Sequence, residues 1–172
     1  MNRIILTTAA AALLATGALA QEKAAPTARA ALVGAGGEAL GEATLTQGPA
    51  GVLIHLRVEG LTPGAHGLHL HAVGACNHEG GFDSATGHVG KTEGGHGLLN
   101  MDGPEPGDLP NLFVAEDGIG EMEAYTTMVT VEGLLDADGS SFIIHESADD
   151  HLSQPIGGAG GRVACGVIEG AA

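Results

Sequence analysis

Gly64-Ala65-His66-Gly67-Leu68-His69-Leu70-His71 closes on a strict alternation of leucine and histidine, the two-residue period of a β-strand. A strand sends Leu68 and Leu70 to one face and both imidazoles to the other. The leucines are then expected in a core. His69 and His71 stand together on the outer surface of the sheet, where a soft-to-borderline metal such as copper can take both.

The rhythm continues on either side of this stretch. Residues 28–33 and 38–46 flank Gly34-Ala35-Gly36-Gly37 as the arms of a hairpin, and Val52, Ile54, Leu56 and Val58 alternate with Leu53, His55, Arg57 and Glu59. Further strands are expected over 118–125, 128–132, 142–145 and 162–168. About eight strands and no helix predict an all-β sandwich or small barrel. With no tryptophan and only Phe82, Phe113, Phe142 and Tyr125 as aromatics, its core must be built from Val, Leu, Ile and Ala. Two long irregular segments, 72–111 and 146–161, interrupt the strands. Loops of that length in one compact domain are usually functional or externally stapled.

The first residues have the layout of a secretory signal: Arg3, an apolar run from Ile4 to Leu14, and Ala18-Leu19-Ala20 before Gln21. Cleavage is expected after Ala20, leaving a flexible start over 21–27 and one domain over 28–172. The leader's apolar run is too short to favour a membrane span. Once Arg3 leaves with it, Lys23, Arg29, Arg57, Lys91 and Arg162 face 21 acidic side chains, which takes the formal charge from −15 to −16. That balance excludes nucleic acid as a partner. An oxidising compartment makes a Cys76–Cys165 disulfide the default, with free thiols as the alternative.

The remaining motifs, in order, are Gly87-His88, Gly95-His96-Gly97, Gly107-Asp108-Leu109-Pro110-Asn111, His145-Glu146-Ser147-Ala148-Asp149-Asp150 and Gly161-Arg162-Val163-Ala164-Cys165-Gly166. Together with His69-Leu70-His71 they resemble the copper/zinc superoxide dismutase family of exported bacterial type, from about Ala28 to Ile168. The resemblance implies an eight-stranded Greek-key β-barrel or flattened sandwich with two long functional loops. It implies copper held by His69, His71, His88 and His145, and zinc held by His88, His96 and Asp108, with His88 bridging the two. Asp149 would link His69 to His96 behind the metals, Arg162 would receive the superoxide anion, and His88 would carry a proton to the peroxide. Cys76 and Cys165 match the family's disulfide. The activity implied is disproportionation of superoxide to oxygen and hydrogen peroxide, in the periplasm, by a monomer or homodimer.

Two positions depart from the family pattern. Val89-Gly90 follows the bridging histidine where Phe-Asn-Pro is usual, which bears on loop packing. More consequentially, Glu105 stands where the family has its third zinc histidine, nine residues after His96 and three before Asp108. Zinc accepts carboxylate oxygen, so three arrangements are open: Glu105 ligates, the site is weak or empty, or another group such as His78 stands in. The altered site also leaves a rival function, a periplasmic copper-binding or copper-buffering protein. His55, His66 and His151 are read as solvated or hydrogen-bonded histidines, and Lys91 as a second cation for steering the substrate.

Overall fold

The computed structural model describes Ala25 and residues 27–171; the expected leader over 1–20 and most of the start over 21–27 lie outside the described residues. Nine strands run β1 (Thr27–Gly34), β2 (Ala39–Gln47), β3 (Val52–Glu59), β4 (Gly64–His66), β5 (Leu68–His71), β6 (Leu112–Val114), β7 (Ile119–Thr126), β8 (Ser140–His145) and β9 (Arg162–Gly170). All join one antiparallel sheet in the order β4-β6-β7-β3-β2-β1-β9-β8-β5.

The two ends of that order, β4 and β5, are consecutive halves of the deciding stretch. β4 pairs β6 on one edge of the sheet and β5 pairs β8 on the other, so the chain itself closes the barrel at Gly67. Gly67 accommodates the crossing: its N–H donates to Ser147 O at 2.8 Å, its carbonyl accepts from His145 N at 2.9 Å, and an added Cβ would lie 2.8 Å from the Ala159 methyl. Counted as one bent strand, β4 and β5 restore the expected eight.

Inward phases of the strands fill the barrel. Leu32, Leu45, Ile54, Leu56, Leu68, Leu70, Phe142 and Ile144 are all fully buried in one aliphatic core. A second small cluster, Phe82, Ala85, Ile143 and Cys165, lies outside the barrel wall, where the 72–111 loop folds back on β8 and β9. The Cys76–Cys165 disulfide ties the loop down there, with Cα atoms 5.6 Å apart and 89 residues between the cysteines.

Two strand expectations need correction. Residues 128–132 do not form a strand: a single helical turn, α1 (Val131–Leu134), begins inside that run. Thr130 caps it, its side chain accepting from Gly133 N at 3.0 Å, and the cap decides against the β-branched composition. Conversely, the three-residue β6 follows directly on the long irregular segment, where no strand was expected.

Candidate metal centre

His69 and His71 do lie on the outer face of β5, but neither meets solvent: they are 0 % and 1 % exposed. The expectation of a surface pair is corrected by the two long loops, which roof that face. Backbone bonds stitch the first loop to β5, with Leu70 N donating to Gly107 O, Val89 N to Leu70 O and Ala72 N to Gly87 O, each at 2.8–2.9 Å. Gly107 permits the approach, since a Cβ there would overlap Leu70 O. His88 is thereby laid against His71, and Asp108 against His69. β8 delivers His145 from the neighbouring strand.

Four rings converge. The His69 centroid lies 4.2 Å from that of His88 and 4.9 Å from that of His145, and the His71 and His88 centroids are 5.1 Å apart. Each ring has one nitrogen held by a protein oxygen. His69 Nε2 pairs with Asp149 Oδ2 at 2.8 Å, His71 Nδ1 with Thr86 O at 2.9 Å, His145 Nδ1 with Gly160 O at 3.0 Å, and His88 Nδ1 with Glu105 Oε2 at 2.8 Å. The opposite nitrogens, His69 Nδ1, His71 Nε2, His88 Nε2 and His145 Nε2, are buried without any hydrogen-bond partner. Orphaned buried polar atoms are costly. His69, His71 and His145 offer atoms that all lie within 4.8 Å of one another, and His88 joins His69 in a second such group; imidazole nitrogens are donors that copper accepts in both its oxidation states.

A second constellation lies behind His88. His96 Nδ1 is 2.7 Å from Asp108 Oδ1, and His88 Nδ1 is 3.4 Å from the same oxygen and 2.8 Å from Glu105 Oε2. His69, His88, His96 and Asp108 offer atoms that all lie within 4.8 Å of one another, with the buried Glu105 beside them on His88; imidazole and carboxylate donors of this kind suit zinc. His78 is not among them. Its ring lies against Gly37, where an added Cβ would meet it at 3.1 Å. Asp149 spans the two constellations, reaching His69 Nε2 with Oδ2 and His96 Nε2 with Oδ1 at 3.2 Å.

Burial sets the electrostatics. It pushes the His71 imidazolium down to about 2 and that of His145 to about 4, with neighbouring cations adding to the effect. For Asp108 burial acts upward, but hydrogen bonds from His88 and the Gly97 N–H outweigh it and hold the carboxyl at about 2. Asp149 is likewise kept below the usual carboxylate range, burial being outweighed by His69 and the His151 N–H.

In the metal-free protein, therefore, His71 and His145 stay neutral when folded but protonate near 6.5 when unfolded. Their contribution to stability is intact above pH 6.5 and is lost as pH falls, by roughly 3 kcal/mol at pH 4 for His145 alone. Asp108 acts in the same direction, stabilising above 3.8 and losing that contribution towards 2. Urea unfolding of metal-free protein is expected to show falling stability from pH 7 to 4; a flat profile would contradict the neutral, buried assignment.

Arg162 opens β9 and lines a cavity of about 310 Å³ together with His71, His88, His145 and Lys91. Its guanidinium donates to Phe82 O at 2.6 Å and Thr86 O at 2.7 Å. Several functional atoms left no mark in the sequence, because they are backbone: the carbonyls of Thr86, Gly160 and Phe82. Asn111 also went unassigned. It clamps Asp149, its side chain donating to Asp149 O at 2.8 Å and accepting from Asp149 N at 2.9 Å; its place after Asp108-Leu109-Pro110 was the available signal. His55 pairs with Glu121 at the surface, and His66 is buried against the His145 and Thr62 carbonyls.

Comparison with known proteins agrees with this geometry. Residues 39–168 match the family described as copper/zinc superoxide dismutase (SODC). The "Superoxide dismutase [Cu-Zn]" of Caulobacter vibrioides is 50 % identical over 147 residues, covering 81 % of this chain and 84 % of its own, and that of Deinococcus radiodurans is 37 % identical over 155 residues, covering 84 % and 85 %. Among solved structures, the Y88H-P104H double mutant of a superoxide dismutase-like protein from Bacillus subtilis superposes with a TM-score of 0.76 at 37 % identity, covering 81 % of this chain and 95 % of that one. The Cu/Zn superoxide dismutase from Brucella abortus gives 0.69 at 27 %, covering 83 % and 99 %. The chain thus belongs to the copper/zinc superoxide dismutase family, an oxidoreductase whose metals are copper and zinc and whose substrate is superoxide.

Proposed function

We propose that His69, His71, His88 and His145 are the copper ligands, that His88, His96, Asp108 and Glu105 hold zinc, and that dismutation takes place in the cavity beside Arg162. The observation carrying this reading is the set of four unpartnered ring nitrogens. Bound there, copper supplies one-electron redox chemistry, by which one superoxide is oxidised to oxygen and a second, with two protons, is reduced to hydrogen peroxide.

The chain's own residues do the rest. Asp149, Thr86 O and Gly160 O fix three of the rings so that their free nitrogens face inward. Burial keeps His71 and His145 unprotonated and available. Arg162, braced by two carbonyls, presents a positive charge to a small anion in the cavity. Proton delivery to peroxide is assigned to His88, which lines the same cavity.

An exposed Lys91 lies on the rim. In a chain of net charge −15, these two cations are the source of local attraction for superoxide. Removing a charge-assisted hydrogen bond costs about 1.5–3 kcal/mol, so Arg162→Ala is expected to lower kcat/KM roughly 10- to 150-fold. Lys91→Ala should lower it less and flatten its dependence on salt. Equal rates and salt slopes for wild type and both variants would sink the steering role. The braced arginine also favours an enzyme over a copper buffer, which has no use for an anion site.

The same reading includes a single barrel domain over 28–172 and export to the periplasm. The leader layout and the Cys76–Cys165 disulfide support export. Among the described residues, no helix is long and apolar enough to cross a membrane.

A further inference from the structure

We infer that Glu105 is a positioning residue for copper: its carboxylate holds His88 in the copper-binding orientation without zinc, which makes the copper site independent of the second metal. The inference rests on the copper assignment above.

The argument begins with what each copper-facing ring requires. A neutral imidazole has two tautomers and can turn about its side-chain bonds, so a free lone pair aims at a metal only if the other nitrogen is fixed. For His69, His71 and His145 a protein oxygen does this, 2.8–3.0 Å from the far nitrogen. A ring that bridges two metals differs, since its far nitrogen would be fixed by the second metal, and loss of that metal would release it. Here His88 Nδ1 already has a protein oxygen, Glu105 Oε2 at 2.8 Å. A proton on Nδ1 donates to that oxygen and leaves the lone pair on Nε2, which is buried without a partner on a ring 4.2 Å from that of His69 and 5.1 Å from that of His71.

Glu105 can hold a ring because it is itself held. It is 2 % exposed. Its second oxygen accepts from Thr92 N at 2.8 Å. Its own N–H donates to Asp108 Oδ2 at 2.9 Å, and its carbonyl accepts from Asp108 N at 3.0 Å. The carboxylate is therefore held at Oε1 by the Thr92 N–H, and the Glu105 backbone by a closed turn, which leaves Oε2 for His88. An imidazole at position 105 could reach a shared metal but could not offer two acceptor oxygens at once. With zinc loaded, the same Glu105 oxygen would be free to serve as a ligand; without it, the oxygen accepts the Nδ1 proton. His88 keeps its direction in both states.

The test uses the mature chain, stripped of metal and reloaded with one equivalent of Cu(II), with and without zinc. Copper affinity is measured by chelator competition, and the ligand set by nitrogen hyperfine structure in the Cu(II) EPR spectrum. Wild type is expected to give a four-nitrogen spectrum and an affinity within a few-fold of each other in the two states. Zinc-free Glu105→Ala should bind copper roughly 10- to 100-fold more weakly, with an altered spectrum. Glu105→Gln keeps an acceptor oxygen, so it should recover much of the copper affinity while losing zinc.

Zinc-free wild type that binds copper tenfold or more weakly than the zinc-loaded form would overturn the inference, as would a zinc-free Glu105→Ala indistinguishable from wild type. Failure of even the zinc-loaded wild type to give the four-nitrogen spectrum would instead remove the copper assignment beneath it.

Discussion

Asp149→Ala is expected to weaken copper and zinc binding together, each by about 10- to 100-fold. The residue is fully buried as a side chain and serves both constellations, with one oxygen on His69 Nε2 and the other on His96 Nε2. Without it both rings lose the acceptor that fixes their tautomer. The backbone around it is anchored independently by Asn111, so the barrel should still form and the loss should appear as metal occupancy. Gly157 packs so closely that a Cβ there would overlap Asp149 Oδ1, and Gly157→Ala should reproduce part of the same defect. Metal analysis after dialysis against a weak chelator measures both. Selective loss of one metal from Asp149→Ala would show that the carboxylate does not couple the two sites.

Reduction of the disulfide should be felt twice, in stability and in rate. Cys76 and Cys165 are 89 residues apart, and closing a loop of that length stabilises by about 4–5 kcal/mol in the chain-entropy description, with measured losses of 2–5 kcal/mol for small secreted domains. The second effect follows from what the loop carries. Between Cys76 and His88 lie Phe82 and Thr86, whose carbonyls brace Arg162, and Thr86 O also orients His71. Phe82 and Ala85 pack against Cys165 itself. A Cys76→Ser, Cys165→Ser variant should therefore lose activity even at temperatures where it stays folded, approaching the loss expected for Arg162→Ala. Full activity in a folded, reduced protein would separate the disulfide from the anion site.

The alternation at 68–71 and 52–58 was enough to read strands and their inward faces, because the period of a strand fixes which side chains share a side. It could not say what covers the far side, and His69 and His71 prove to lie beneath loops rather than at the surface. That roof depends on pairings between residues far apart, such as Leu70 with Gly107, which no local pattern encodes. The run at 128–132 misled for a different reason: its Val and Thr residues favour strand, yet Thr130 caps a helical turn and Gln47, 84 residues away, accepts from Val131 N. β6 is too short for a period to register.

The site was legible at the level of residue types and order. His69, His71, His88, His96, Asp108, His145 and Asp149 all meet in one place, as does Glu105, whose unusual identity was visible from the resemblance to the family. What spacing could not supply is the direction of its carboxylate. The turn from Glu105 to Asp108, closed by one backbone hydrogen bond and by the Glu105 N–H donating to the Asp108 carboxylate, brings Oε2 to His88 and not to solvent. Pro106 packs against Gly90, so the small residue at 90 and the proline fit together where the family usually has a different sequence.

The central claim is that four buried imidazoles and a braced arginine make this chain a superoxide dismutase, and pulse radiolysis on metal-counted protein tests it most directly. A fast second-order decay of superoxide that scales with copper up to about one ion per chain, and that falls on Arg162→Ala, is the predicted result. One copper per chain with decay no faster than the uncatalysed reaction would contradict it.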